Sequence, residues 1–185
     1  MKRILSLALV FCILLTFAAC GEKKEKVKKI GVDVEYYANL GKIPEFEYKL
    51  GDDGAAAAKA VEKSLENSTD HHDGFCNSYE GDEKTTVDVA GATFIYDNKT
   101  KKIEKIINFN TAYEFKLGTV SIEIQKALSS YGFDSETRSL TEDELALFAT
   151  SSDDSTALEY KFGDRYVVFA FYENELFATM LYEAK

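Results

Sequence analysis

Residues 46–51 read FEYKLG, and residues 113–118 read YEFKLG. The two phrases differ only by exchange of Phe and Tyr, and their sequels match in kind. The first runs on as DDGAAAAKAVEKSLE and the second as TVSIEIQKALSSYG. Each phrase alternates aromatic and polar residues as a strand does, stops at a glycine, offers a helix cap and opens a helical pattern. Asp52 or Asp53 is expected to cap the first helix and Thr119 the second. In the first helix Ala57, Val61 and Leu65 share a face; in the second Ile124 and Leu128 do so, with Val120 one turn back.

Aromatic-rich strands come after each helix. Thr85–Tyr96 and Lys102–Phe109 flank the turn residues Asp97-Asn98-Lys99-Thr100, and FIYDN at Phe94–Asn98 corresponds in kind to FYEN at Phe171–Asn174. Later, Leu158–Phe162 and Arg165–Tyr172 flank Gly163-Asp164, and Glu173-Asn174 turns the chain into Leu176–Tyr182. The second copy carries an addition. Thr141-Glu142-Asp143-Glu144 is a capping-box pattern ahead of Leu145, Leu147 and Phe148, which predicts a short extra helix. The predicted fold is α+β: two tandem repeats of a helix followed by an antiparallel β-meander, residues 43–112 and 113–185, in a sheet with helices on one side.

The N-terminus has a different logic. Lys2 and Arg3 precede the apolar run Ile4–Phe17, and the small residues Ala18 and Ala19 precede Cys20. That is the layout of a secretory signal, and the run is short of the roughly 20 residues that span a bilayer. A cysteine directly after two small residues resembles the lipobox of bacterial lipoproteins. The resemblance implies a signal peptide over residues 1–19, cleavage before Cys20, and lipidation of Cys20. A diacylated cysteine is a stable anchor without a membrane-spanning helix. Of three cysteines, Cys12 would leave with the signal, Cys20 would carry lipid, and Cys76 would stand alone, so no internal disulfide is expected.

Residues 20–42 read as the lipidated cysteine and a basic tether. Within it, residues 22–29 (EKKEKVKK) hold five Lys and two Glu. The whole chain has a formal net charge of −10; subtracting the two cations of the n-region and the +3 of this stretch leaves −15 on residues 30–185. So acidic a body excludes nucleic acid, whose phosphates it repels. The lysines beside the lipid can meet anionic headgroups.

LGTVSIEIQKAL at Leu117–Leu128 opens with an apolar residue, a glycine and a small residue before its helix, and a strand meander closes the unit. This arrangement resembles the β-lactamase-inhibitor-protein fold and the small outer-membrane assembly lipoproteins. It is similar as well to lipoproteins of Gram-positive gut bacteria whose middle segment has a Cys, then Gly-acidic, then a strand, as Cys76-Asn-Ser-Tyr-Glu-Gly81-Asp82-Glu83 does. The resemblance covers residues 43–185 and implies a partner bound on a sheet face. No contact residue of the inhibitor has a counterpart here.

Among candidate chemistries, Asp70, His71, His72, Asp73 and Cys76 form the densest polar cluster and contain both histidines. His, Asp and thiolate all ligate metals. Yet the paired CxxC or HxxxH spacing of a structural zinc site is absent, and Gly74 points to a loop with Cys76 as a small buried hydrophobe. The same residues could form a Cys–His nucleophile pair of an envelope hydrolase, but no supporting signature surrounds Cys76. The chain has no phosphate loop, GxSxG, HExxH or EF-hand pattern, so no catalytic residue and no cofactor are assigned.

The aromatic supply is the better signal. In Arg165–Tyr172, alternation sends Val167, Phe169 and Phe171 one way and Tyr166, Val168 and Tyr172 the other. Tyr160, Tyr166, Tyr172 and Tyr182 are the candidate binding residues of an open, Tyr-bearing sheet face of the kind enriched in interfaces. The alternative is that the extra helix at Leu145–Phe148 covers that face. The expected function is a lipid-anchored, extracytoplasmic, non-enzymatic protein that presents this face to another envelope or extracellular protein. The alternative is a metal or small-ligand binder through the Asp70–Cys76 loop.

Overall fold

The computed structural model describes residues 30–44, 46–66, 77–89, 91–110, 112–151 and 154–184. In chain order its elements are α1 (Ile30–Leu40), α2 (Gly54–Glu66), β1 (Asn77–Glu80), β2 (Lys84–Val89), β3 (Ala92–Asp97), β4 (Ile103–Asn108), α3 (Ser121–Ser129), β5 (Ser135–Ser139), α4 (Glu142–Phe148), β6 (Ser155–Phe162), β7 (Arg165–Tyr172) and β8 (Glu175–Glu183). The strands form one antiparallel sheet in the order β1-β2-β3-β4-β8-β7-β6-β5. The class is therefore α+β, with β4 and β8 paired at the centre.

Neither of the two matching phrases is a strand, contrary to their alternation. Gly51 and Gly118 sit at φ +84° and +82°, a region that favours glycine and ends an extended run. In the second phrase Tyr113 and Glu114 also take positive φ, in a tight turn closed by mutual Ala112–Phe115 hydrogen bonds. What the phrases share is a docking pattern. Gly51 N–H donates to Ile103 O (2.9 Å) and Ile103 N–H to Asp52 O (3.0 Å). Gly118 N–H donates to Leu176 O (2.8 Å) and Leu176 N–H to Thr119 O (2.9 Å). Each phrase is thus stitched to the start of a central strand, and a helix leaves from that point.

The caps come from local chemistry, with one difference. Asp53 Oδ1 accepts from Ala56 N–H at the start of α2, and Thr141 and Glu144 complete the capping box of α4. Thr119 does not cap α3: its hydroxyl donates to Lys116 O, and Val120 takes the cap position without a side-chain bond. Gly54, the first residue of α2, is required for packing. A Cβ there would lie 2.4 Å from the Cβ of Tyr96.

Residues 30–40, expected in the tether, form α1 and enter the core. Val34 and Ala38 are fully buried. Gly41 at φ +71° ends the helix, with Gly41 N–H on Ala38 O and Lys42 N–H on Tyr37 O. The Arg165 guanidinium donates to the carbonyls of Ala38 and Asn39, a cation placed at the negative end of a helix that has no basic residue in its own last turn.

α1, α2 and α3 cover one sheet face. Val34, Ala57, Ile124 and Leu128 meet Phe94, Ile106, Phe169 and Leu181 in one buried cluster. α4 lies on the opposite face, where Phe148 packs with Ile107, Val168, Ala170 and Met180. The expectation of helices on one side is therefore corrected. Both faces of β7 are apolar, and an eight-residue strand buried on each side needs a cover on each. Two more departures are local. Thr85–Tyr96 is two strands, β2 and β3, split at Gly91 with φ +75°. The polar strands β1 and β5 carry no alternation that would have revealed them.

Candidate binding face

The face that carries α4 is only partly covered. α4 is pinned by one guanidinium. Arg138 on β5 donates to both oxygens of Glu144 (2.6 and 2.7 Å) and to Glu159 Oε2 on β6 (2.6 and 3.1 Å). Burial works to raise the Glu144 carboxyl pKa, but the Arg138 and Thr141 bonds outweigh it and hold the group below the ordinary range. The Tyr182 hydroxyl donates to the same Glu159 oxygen at 3.1 Å. Burial, and then the Glu159 charge, push the Tyr182 hydroxyl up to about 12.

Beyond α4 the strand register aligns a row of side chains. Lys161 on β6 is opposite Tyr166 on β7, Tyr166 opposite Tyr182 on β8, and Tyr182 opposite Lys105 on β4. Directly opposed residues point to the same face, so these four stand side by side across four strands. The two rings are stacked, with centroids 5.2 Å apart and planes 11° from parallel. The Lys105 ammonium lies over Tyr182 at 5.8 Å and that of Lys161 over Tyr166 at 5.5 Å. The row continues through Ile95, Thr86 and Tyr79, which is 60% exposed at the sheet edge. Beside it, a groove of about 360 Å³ runs between the sheet and α4, with Ile95, Ala146 and Leu147 as its apolar lining and Lys84, Lys105 and Asp143 as its charged lining.

Of the four expected tyrosines, Tyr166 and Tyr182 are on this face. Tyr160 is not: it is 1% exposed, in the helix-side core, with its ring edge-on to Phe169. Alternation alone separates Tyr160 from Lys161, and the apolar neighbours Leu158 and Phe162 draw Tyr160 inward with them. Tyr172 is 41% exposed but at the far end of β7, beside the Glu173-Asn174 turn, after a register shift at Ala170/Phe171. The residues that sequence reasoning missed are Lys105 and Lys161. Their signal was present in part, since period-2 counting puts Lys161 opposite in direction to Tyr160, but the partner strands were not readable.

Cys20 and the cluster Asp70, His71, His72, Asp73 and Cys76 lie outside the described residues. Among the described residues, no group of three or more His, Cys, Asp and Glu could hold a metal ion, and no helix is long and apolar enough to cross a membrane. The groups the face does offer are ammonium ions, carboxylates, aromatic edges, hydroxyls and short apolar stretches. They are suited to binding.

No protein-family model matches the chain, and no curated protein matches it. A solved structure, that of a DUF4309 family protein (YjgB) from Bacillus subtilis subsp. subtilis str. 168, aligns over 84% of this chain and 97% of its own, at 14% identity and a TM-score of 0.49.

Proposed function

We propose that the protein is a lipid-anchored, extracytoplasmic interaction protein without enzymatic activity, which binds another envelope or extracellular protein through the α4-bearing face of its sheet. The observation that carries this reading is the row Lys105–Tyr182–Tyr166–Lys161. It is a band of half-buried aromatic side chains beside a groove with an apolar lining, on the part of that face that α4 leaves uncovered. Tyr and apolar lining with a charged margin is the composition of interface centres. The anchor part rests on the n-region, the apolar run and Cys20 after Ala18-Ala19. The basic residues 22–29 would lie against anionic headgroups while the acidic body stands off the surface.

The fold is read here as a tandem duplication. Two like phrases, two like exchanges of hydrogen bonds, at Gly51–Ile103 and Gly118–Leu176, and a strand order that mirrors about the β4–β8 pair support it. Residues 43–112 and 113–185 would be the two units, and the α4 hairpin cover an addition to the second.

The test is a site-specific photo-crosslink in the source cell. A crosslinking amino acid placed at Lys161 is expected to trap one protein, and the same group at Lys59, exposed on α2, is expected to trap none. Equal trapping from both positions, or none from Lys161, removes the face from consideration.

A further inference from the structure

We infer that the Lys105–Tyr182–Tyr166–Lys161 row receives an extended acidic segment of the partner protein, with two carboxylates four residues apart on the two ammonium groups. The inference rests on the reading of this face as a protein-binding face and adds the chemistry of what binds there.

Three observations carry it. The first is charge. Lys84, Arg138 and Arg165 each have a carboxylate within ion-pair distance, whereas among the described residues Lys105 and Lys161 have none. Other exposed lysines among the described residues, such as Lys59 and Lys126, have no ion pair either, but Lys105 and Lys161 bracket a stacked pair of rings in one row. Two ammonium groups held at a fixed separation attract an acidic segment and set its position as well as its affinity.

The second is spacing. From β4 to β6 the row crosses three strand-to-strand steps, about 14 Å at ~4.8 Å each. In an extended chain, side chains four residues apart point to the same side and stand about 13 Å from each other. Carboxylates three apart point to opposite sides and cannot reach both lysines. The segment would cross the strands rather than extend the sheet at an edge.

The third is the rings. One face of each is against the other ring and an ammonium group lies over each. The edges remain, and aromatic edges carry positive potential. A stacking platform for a sugar is thereby closed, while the edges add to the pull on an anion. Past Lys105, Ile95, Ala146 and Leu147 offer an apolar stretch to the next side chains of the segment.

The full chain, solubilised in detergent, would be titrated with fluorescein-labelled peptides and followed by anisotropy. The probes are an extended Val/Thr peptide with two Asp four residues apart, the same peptide with Asp three apart, and the same with two Asn. The four-apart peptide is expected to bind most tightly and to weaken as salt rises. The Lys105→Glu/Lys161→Glu variant should lose about tenfold in affinity and should accept a peptide with Lys in place of Asp. Lys59→Glu on α2 is the charge control, and unchanged urea midpoints show that the variants fold. Equal binding of the Asp and Asn peptides, no effect of spacing, or equal displacement by inorganic polyphosphate would overturn the inference. A crosslinked partner at Lys161 without acidic-peptide binding would sink this inference and leave the interaction face standing. Acidic-peptide binding without a crosslinked protein would remove the protein-partner reading and overturn the inference with it, leaving the row as a site for an acidic ligand of another source.

Discussion

Tyr182 belongs to two systems at once. Its ring stacks on Tyr166 under Lys105, and its hydroxyl bonds Glu159. Burial and that carboxylate raise its pKa from the ordinary 10.0 to about 12. In the folded state Tyr182 therefore keeps its proton at a pH where the unfolded chain has lost it. The stability this contributes is complete below about pH 10 and is lost as pH rises toward about 12. Tyr182→Phe is expected to cost about 2 kcal/mol at neutral pH, for one hydrogen bond to a charged acceptor. It should also make the alkaline limb of stability less steep and remove the latest component of the tyrosinate absorbance titration. Urea midpoints measured across that range check the sign. A variant whose alkaline limb matches wild type would mean that Tyr182 is no more protected than an exposed tyrosine.

Helix α4 has seven residues, too few to persist without tertiary support. Its N-terminus has a complete capping box, three acidic residues in the first turn and the Arg138 clamp. Its apolar side sets Phe148 edge-on to Phe109 and Phe177. Glu144 is both cap and clamp. Burial acts to raise its pKa, but the Arg138 and Thr141 contacts prevail and lower it from 4.5. A depressed carboxylate contributes stability that is complete above its unfolded pKa and is lost as pH falls through the folded one. Glu144→Gln should cost about 2 kcal/mol near pH 7, and the difference from wild type should shrink as pH falls below 4.5 and Glu144 protonates. Crosslinking from Lys161 should weaken in parallel, because the groove wall formed by Ala146 and Leu147 belongs to the same helix. The element was readable from Thr141-x-x-Glu144. The side of the sheet it covers was not, because the clamp joins residues on β5, α4 and β6 whose pairing no local pattern expresses.

At the scale of the whole molecule, the acidic body and the anchor proposed at Cys20 are separate devices. Cys20→Ser is expected to abolish incorporation of a labelled fatty acid and to release the protein from the membrane fraction, while leaving the urea midpoint of the folded body unchanged. Fatty-acid labelling that survives the substitution would exclude Cys20 as the anchor. The central β4–β8 pair joins two strand sets that are each antiparallel and sequential, and the phrases ending at Gly51 and Gly118 are stitched to its two members. That is why one phrase is present twice: two helices need the same seat on the two middle strands.

Most signals that act over a few residues were legible in the chain, although Thr119 does not cap α3 and the alternation of the two phrases forms no strand. The Asp53 and Thr141 caps, the glycines at positive φ, the turn residues after β3, β6 and β7, and the alternation of β7 placed most elements and put Val167, Phe169 and Phe171 on one face. β1 and β5 escaped because an edge strand with a polar sequence has no apolar period to show. The candidate face escaped in its essentials. Lys105 and Tyr182 are far apart in the chain and become neighbours only through the register of β4 on β8. Tyr160 reads like Tyr166 in composition, yet burial on opposite sides of one sheet separates them. Most caps, turns and periods are decided by neighbouring residues, so the sequence alone determined those. Register, and which face each helix covers, are decided by how distant apolar surfaces exclude water together, and only the tertiary structure decided those.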